Sequence, residues 1–308
     1  MEKLQGFTDH VMLYVKTLVK WLLAAALIGT VGGAVGSLFH LGVEYATELR
    51  TEVPALLYAL PLTGVLIVAL YRFLRTQGVG TNAVLDAVHQ GRELPILLIP
   101  AIFLATLLTH LAGGSAGREG AALQIGGDLG KHFGKMLRMD DKDCRLATLC
   151  GMSALFSALF GTPLAASVFA MEVVSVGVMY YAALLPCVLA SVIAQRFSIF
   201  LGGEATAFAV SGIPQEADAL LIAKLLLFGA ACAGLAALVC IVFHNVGHLF
   251  KKWFPNRYVC IAAGGAAVVV LTLLLGTRDY NGAGTQVIER AMAGEASYAA
   301  FFIKLVMT

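Results

Sequence analysis

The sequence predicts an all-α fold: a polytopic membrane protein with discontinuous helices. Three observations carry that reading. Hydrophobic residues make up 59% of the 308 residues and charged residues only 13%, where a soluble domain carries about 25% charged. Apolar runs of spanning length recur along the chain. Several are interrupted by glycine-rich segments, the mark of broken helices in a transporter. No linker or compositional shift divides the chain, so residues 1–308 read as one transmembrane domain. The formal net charge of +2 gives no reason to expect nucleic acid as a partner. The lipid bilayer is the expected surrounding, and a multi-pass position in the cell membrane follows.

Met1–Thr17 reads as an amphipathic lead-in, and Leu18–Leu41 as the first span. Lys16 and Lys20 place the N-terminus on the cytoplasmic side. The run from Trp21 to Phe39 is too long for a signal core and has no convincing cleavage site. Gly29, Gly32, Gly33 and Gly36 put small residues four apart, which lets a neighbouring helix come close. Glu44–Pro54 reads as a loop on the far side. Ala55–Tyr71 is a second, short span, and Arg72 and Arg75 return the chain to the basic side. Gln77–Asn82 is a glycine-rich break, since helix interiors disfavour two glycines within three residues. A short helix, Ala83–Val88, and a polar turn, Gly91-Arg92-Glu93, lead to the apolar run Pro95–Leu111. Pro100 is expected to kink that run.

Leu111–Gly130 is the stretch around which the chain is organised. Apolar sequence lies before it, glycine and serine break it, and a helix starts at Glu119. Lipid tolerates broken backbone only where protein buries it or a cavity wets it, so this break is expected to face the protein interior. The N–H groups of Gly117, Arg118, Glu119 and Gly120 would point off a helix N-terminus, where unpaired donors and the positive dipole end coincide. That arrangement suits an anion. The carboxylate of Glu119 stands at the same place and would compete for the same donors. Burial favours a neutral carboxyl. Ionised Glu119 would therefore occupy the site and protonated Glu119 would leave it. An ionisable residue in such a segment is a functional candidate by default. Arg118 is next in sequence but does not face Glu119, because adjacent helical residues diverge. It is a candidate anion attractor or a structural pairing residue.

Gly126, Gly130 and Gly134 again sit four apart and predict a tight helix contact. Lys131–Arg145 is polar and reads as cytoplasmic. Arg145–Phe160 is apolar, Gly161-Thr162-Pro163 breaks it, and Leu164–Val178 resumes with Glu172 near its end. Glu172 reads first as a structural acid at a helix end. Tyr181–Phe200 contains Pro186, Gly202–Asp218 is a polar loop, and Leu220–Phe243 and Tyr258–Leu275 are further spans. Gly276–Gly284 is a third glycine-rich break, and Tyr298–Met307 begins another apolar run. The six cysteines form no C-x-x-C pair and are expected to be reduced packing residues. His244 and His248 lack an acidic partner, so no metal site and no cofactor is expected.

Four features in this order resemble the CLC superfamily of chloride channels and anion/proton antiporters. They are Gly78-Val79-Gly80-Thr81-Asn82, Gly117-Arg118-Glu119-Gly120 with Gln124-Ile125-Gly126, Phe160-Gly161-Thr162-Pro163-Leu164-Ala165, and Phe169-Ala170-Met171-Glu172. Three departures are similar to the fluoride/proton antiporter branch. Val79 stands where chloride-handling members carry a serine, Ala121 where they carry a proline, and Val173 where chloride antiporters often carry a second glutamate. The Gly276–Tyr280 segment is also similar to that branch. The resemblance implies an inverted-repeat architecture, homodimers with one pathway per subunit, and export of fluoride against protons. It implies Glu119 as the gating and proton-transfer residue. It implies an anion site at Val79, Gly80, Thr81, Asn82, Gly117, Arg118, Gly120 and Ala121, whose N–H groups, with the Thr81 hydroxyl and Asn82 amide, would replace fluoride's water. Later helices of the family's second half have no counterpart before Thr308, and Tyr298–Met307 is half a span long. The second half is therefore expected to be incomplete. A chloride/proton antiporter or a passive anion channel of the same fold is the alternative. An intramembrane enzyme or a non-transporting membrane subunit is a lesser one, since no nucleophile–base spacing is present.

Overall fold

The computed structural model of the chain describes residues 2–175, 177, 179–204 and 218–308, with side chains from residue 10 onward. Every regular element among the described residues is helical. The first helix, α1, runs unbroken from Glu2 to Glu52. The expected lead-in and the expected loop at Glu44–Pro54 are thus one helix with the first span. The reason is local: the first helix breaker is Pro54, which keeps Val53 out of the helical region (φ −117°, ψ 82°). A 3₁₀ turn, Pro54–Ala59, leads to α2, Leu60–Phe73. Next come α3, Thr81–Gln90, and α4, Leu98–Leu111. Pro100 does not kink α4. It lies in the first turn, where its missing N–H would have had no intrahelical partner.

The centre is built by α5, Glu119–Met136, and α6, Asp141–Phe160. Asp140 caps α6 by accepting from the Asp143 N–H at 2.8 Å. The predicted glycine stripe of α5 lies on α6 backbone to backbone. A Cβ added at Gly126 would stand 2.4 Å from the Gly151 carbonyl oxygen, and one at Gly130 would stand 2.1 Å from that of Ala147. The α1 glycines serve two neighbours: Gly32 and Gly36 meet Ala154 and Ala158 of α6. Gly29 and Gly33 meet Ala190 and Ala194 of α8, Tyr181–Phe200. Serines finish these contacts, since polar side chains in an apolar layer bond across helices. Ser157 donates to the Ser191 carbonyl at 2.9 Å and Ser198 to the Ala158 carbonyl at 3.1 Å.

Helix α7, Pro163–Glu172, is shorter than the expected run to Val178 and ends at Glu172, which is exposed. Most of the expected loop Gly202–Asp218 lies outside the described residues. Helix α9, Ala219–Trp253, extends ten residues past the expected end at Phe243, because the next breaker is Pro255. It is followed by α10, Arg257–Leu275, α11, Thr285–Met292, and α12, Ala300–Met307. Six stretches among the described residues are long and apolar enough to cross a membrane, while α4 and α7 are apolar but shorter. The cysteines are free: Cys144, Cys150 and Cys187 are buried, whereas Cys232 and Cys240 are exposed, against the expectation of packing.

Candidate functional site

Two helix N-termini meet at the central break. Helix α3 starts at Thr81, with Gly80 extended before it. Helix α5 starts at Glu119, with Arg118 before it. Thr81 Oγ1 accepts from Gln124 Nε2 at 3.0 Å, and the same amide donates to the Gly120 carbonyl at 3.1 Å. A Cβ on Gly120 would lie 3.7 Å from Thr81 Oγ1. The first break and the central break are therefore in contact, though 43 positions separate Thr81 from Gln124 in the chain. Helix α3 is fixed at its other end as well. Lys131 donates to the Gly91 carbonyl at 2.8 Å and also to that of Arg92, so a cation faces the carbonyl end of α3, where the dipole favours it.

Glu119 folds back over the break. A Cβ on Gly117 would stand 2.0 Å from Glu119 Oε2, so only a residue without a side chain leaves that space. The carboxylate thus lies against the backbone just before the first turn of α5. The first intrahelical bond of this turn runs from the Ala122 N–H to the Arg118 carbonyl, and the N–H groups of Glu119, Gly120 and Ala121 precede it. Glu119 and Gly117 are exposed among the described residues. The expected burial of the break does not hold at these two residues. Position, not desolvation, brings the carboxylate to the helix end.

Arg118 turns the other way. Its guanidinium donates to His40 Nδ1 at 3.1 Å and lies 5.7 Å from the centre of the Phe160 ring, a cation–π distance. Of the other expected anion-site residues, Thr81 and Gly120 meet, Gly80 and Asn82 are exposed beside them, and Val79 and Ala121 pack against the apolar core. Sequence reading missed Gln124 as a site residue, although an amide five positions after Glu119 in an apolar helix was a signal. It missed His40 too, whose place in an apolar run four residues before Glu44 was the available clue.

The third break docks on the central one. Asn281 donates to the Gly113 carbonyl at 3.3 Å and to Thr272 Oγ1 at 3.1 Å. Lys304 donates to Ser115 Oγ at 2.7 Å and to the Gly282 carbonyl at 2.6 Å. A cavity of about 390 Å³ opens between α1, α4 and these segments, lined by His40, Glu44, Arg50, His110, Arg118 and Glu289 among others. On the opposite side of the molecule, Glu93 pairs with Lys135. That ammonium holds the Glu93 carboxyl below its ordinary range.

Long apolar helices, two half-length ones and paired helix ends at internal breaks define a polytopic helical membrane protein of the discontinuous-helix class. The chain belongs to the voltage gated chloride channel family, whose model matches residues 63–308. It is 31% identical over 268 residues, 85% of its length, to a "Chloride/fluoride channel protein" of Pseudomonas syringae pv. tomato, and covers 58% of that protein. The chain thus spans less than two thirds of that relative. A crystal structure of a CLC-type fluoride/proton antiporter superposes with a TM-score of 0.87 at 31% identity, over 94% of this chain and 74% of that one. A slow cyanobacterial Cl⁻/H⁺ antiporter superposes at 0.73 with 18% identity, over 93% and 73%, and shows the shared fold.

Proposed function

We propose that this protein exports fluoride in exchange for protons across the cell membrane, as a homodimer with one pathway per subunit, and that Glu119 is its switch. The observation that carries this reading is the Glu119 carboxylate folded over Gly117 at the N-terminus of α5, beside Thr81. Ionised, it takes the place of an anion among the donors of Gly80, Thr81, Asn82, Gly117, Gly120 and Ala121. Protonated, it loses the attraction of the dipole end and fluoride enters. Proton and fluoride exclude each other from one site and move in opposite directions. Arg118 supplies positive charge to the vestibule. Val79 brings no hydroxyl to the site, which supports fluoride over chloride, as does the likeness to a fluoride/proton antiporter.

The test is reconstitution in proteoliposomes loaded with fluoride and read by fluoride and pH electrodes together. Wild type should move fluoride with counter-moving protons and move chloride far more slowly. Glu119→Gln, a neutral amide at all pH values, should lose proton-coupled flux. Retained coupling in that variant removes Glu119 from the role. Equal fluoride and chloride fluxes with coupling intact would favour the chloride/proton antiporter, and flux without protons the channel.

A further inference from the structure

A proton that reaches Glu119 from one face of the membrane must also reach the other face. Helix α5 carries polar groups in that direction at four-residue intervals. Gly120, Gln124, Asp128 and His132 follow one row of the helix. The Gln124 amide bridges the Gly120 carbonyl and Thr81. Asp128 is 0% exposed and is the only buried carboxylate among the described residues. Its Oδ1 lies 2.9 Å from His132 Nδ1, and that nitrogen also lies 2.8 Å from the Asp128 carbonyl oxygen. A carbonyl oxygen can only accept, so Nδ1 carries a proton and Nε2 is left for exchange elsewhere. Asp128 Oδ2 meets no hydrogen-bond partner among the described residues. The His132 side chain reaches solvent, being 29% exposed.

The cations beside this pair have partners of their own. Lys131 donates to the Gly91 and Arg92 carbonyls, and Lys135 pairs with Glu93 before α4. Asp141 and Cys144 of α6 lie near Lys131. This end of α5 lies beside the start of α6, where Asp143 pairs with Lys20. That face is cytoplasmic by the excess of lysine and arginine.

We propose that Asp128 and His132 form the cytoplasmic arm of the proton path: Asp128 takes the proton that leaves Glu119, and His132 passes it to the cytoplasm. Nine positions separate the two carboxylates, about 14 Å of helix, with the Gln124–Thr81 pair as the polar step between them. The arriving proton bonds to an Asp128 carboxylate oxygen. Asp128 gives it to Nδ1 of a ring protonated on Nε2, and the ring releases its Nε2 proton to cytoplasmic water. One proton enters the pair and one leaves. The observed ring, with its proton on Nδ1, is the state after release, and exchange with water returns it to the starting tautomer. Loss of water favours a protonated carboxyl, and a nearby imidazolium favours an ionised one, so the pair shares one proton. The inference rests on the proposed exchange reading for the source of that proton.

Two measurements test it. Fluoride and pH electrodes on fluoride-loaded proteoliposomes give the proton-to-fluoride ratio. Asp128→Asn keeps the shape of the side chain and cannot carry a proton. Its ratio should fall toward zero while fluoride still leaves, because Glu119 can return its proton to the side it came from. His132→Gln should slow proton flux about tenfold or more. The second measurement needs no transport. Infrared difference spectra of the protein, stepped between about pH 4 and 8 to span the ordinary carboxylate and imidazole ranges, should show the carbonyl band of a protonated buried carboxyl. The band should be absent in Asp128→Asn and should persist to higher pH in His132→Gln, where the ionised form loses its cation. A purely structural carboxylate would leave both the ratio and the band unmoved. A wild-type ratio in Asp128→Asn, or no band assignable to Asp128, overturns the proposal. Fluoride flux without protons in wild type overturns the exchange reading instead, and the infrared band then decides separately whether Asp128 exchanges a proton through His132.

Discussion

At the residue scale, Gly117 is tied to the position of the Glu119 carboxylate. Any β-carbon there would meet Oε2 at 2.0 Å. Gly117→Ala should push the carboxylate off the helix end and reduce proton-coupled fluoride flux at least about tenfold. Its exposed position predicts little change in thermal stability. Normal flux from a folded Gly117→Ala protein would show that the observed pose of Glu119 is irrelevant to transport. Glu93 offers a contrast with a defined sign. Lys135 holds its carboxyl below the usual range, so its contribution to stability is present at neutral pH. That contribution is lost as pH falls through the depressed folded value, beneath the ordinary carboxylate range. The pair is exposed, so Glu93→Gln should cost less than about 1 kcal/mol at pH 7. The difference between variant and wild type should vanish in melts below about pH 3.

At the scale of elements, the α5–α6 contact brings backbone against backbone through Gly126, Gly130 and Gly151, and it aims the N-terminus of α5. Gly130→Ala would drive a methyl to 2.1 Å from the Ala147 carbonyl oxygen, a backbone atom that cannot rotate aside. Overpacking of this kind costs about 1–3 kcal/mol. Gly229→Ala is the matched control, since nothing lies within 4 Å of a β-carbon there. It should leave stability unchanged or raise it by up to about 1 kcal/mol through helix propensity. Thermal melts in detergent should order the proteins with Gly130→Ala lowest. Equal melting temperatures for the two variants would mean that the helices can separate at no cost. The glycine and serine spacing of α1, α5 and α6 was legible because close helix contacts need small residues at helical period. Helix ends were legible only where a breaker was read as one. Pro54 and Pro255 end α1 and α9 more faithfully than the change from apolar to polar residues, because proline acts on backbone sterics and polarity does not.

At the scale of the whole molecule, the third glycine-rich break holds the central one through Asn281, which is 5% exposed. Asn281→Leu would leave the Gly113 carbonyl and Thr272 hydroxyl without that donor, at a cost of about 1–3 kcal/mol. If the docking also orients the central break, fluoride flux should fall with stability. The variant should be measured for both, by melting and by electrode. A stable variant with full flux would make the contact incidental. A stable variant with reduced flux would assign it to the transport machinery.

The sequence by itself determined the class of this protein. Apolar runs, internal glycine breaks and a carboxylate at a helix start follow from local chemistry, and each is read within a window of a few turns. It also determined the small-residue faces and the divergence of Arg118 from Glu119, since both follow from the helical period. Tertiary structure alone decided which breaks meet. Thr81 and Gln124 touch because Lys131 and the glycine stripe fix α3 and α5 against the same core. Arg118 finds His40 across 78 positions of sequence. Such pairings depend on how whole helices pack, and no local pattern encodes the partner. The exposure of Glu119 belongs to the same category. Whether a polar break is buried depends on what other segments cover it, whereas its sequence specifies only that the helix stops and starts there.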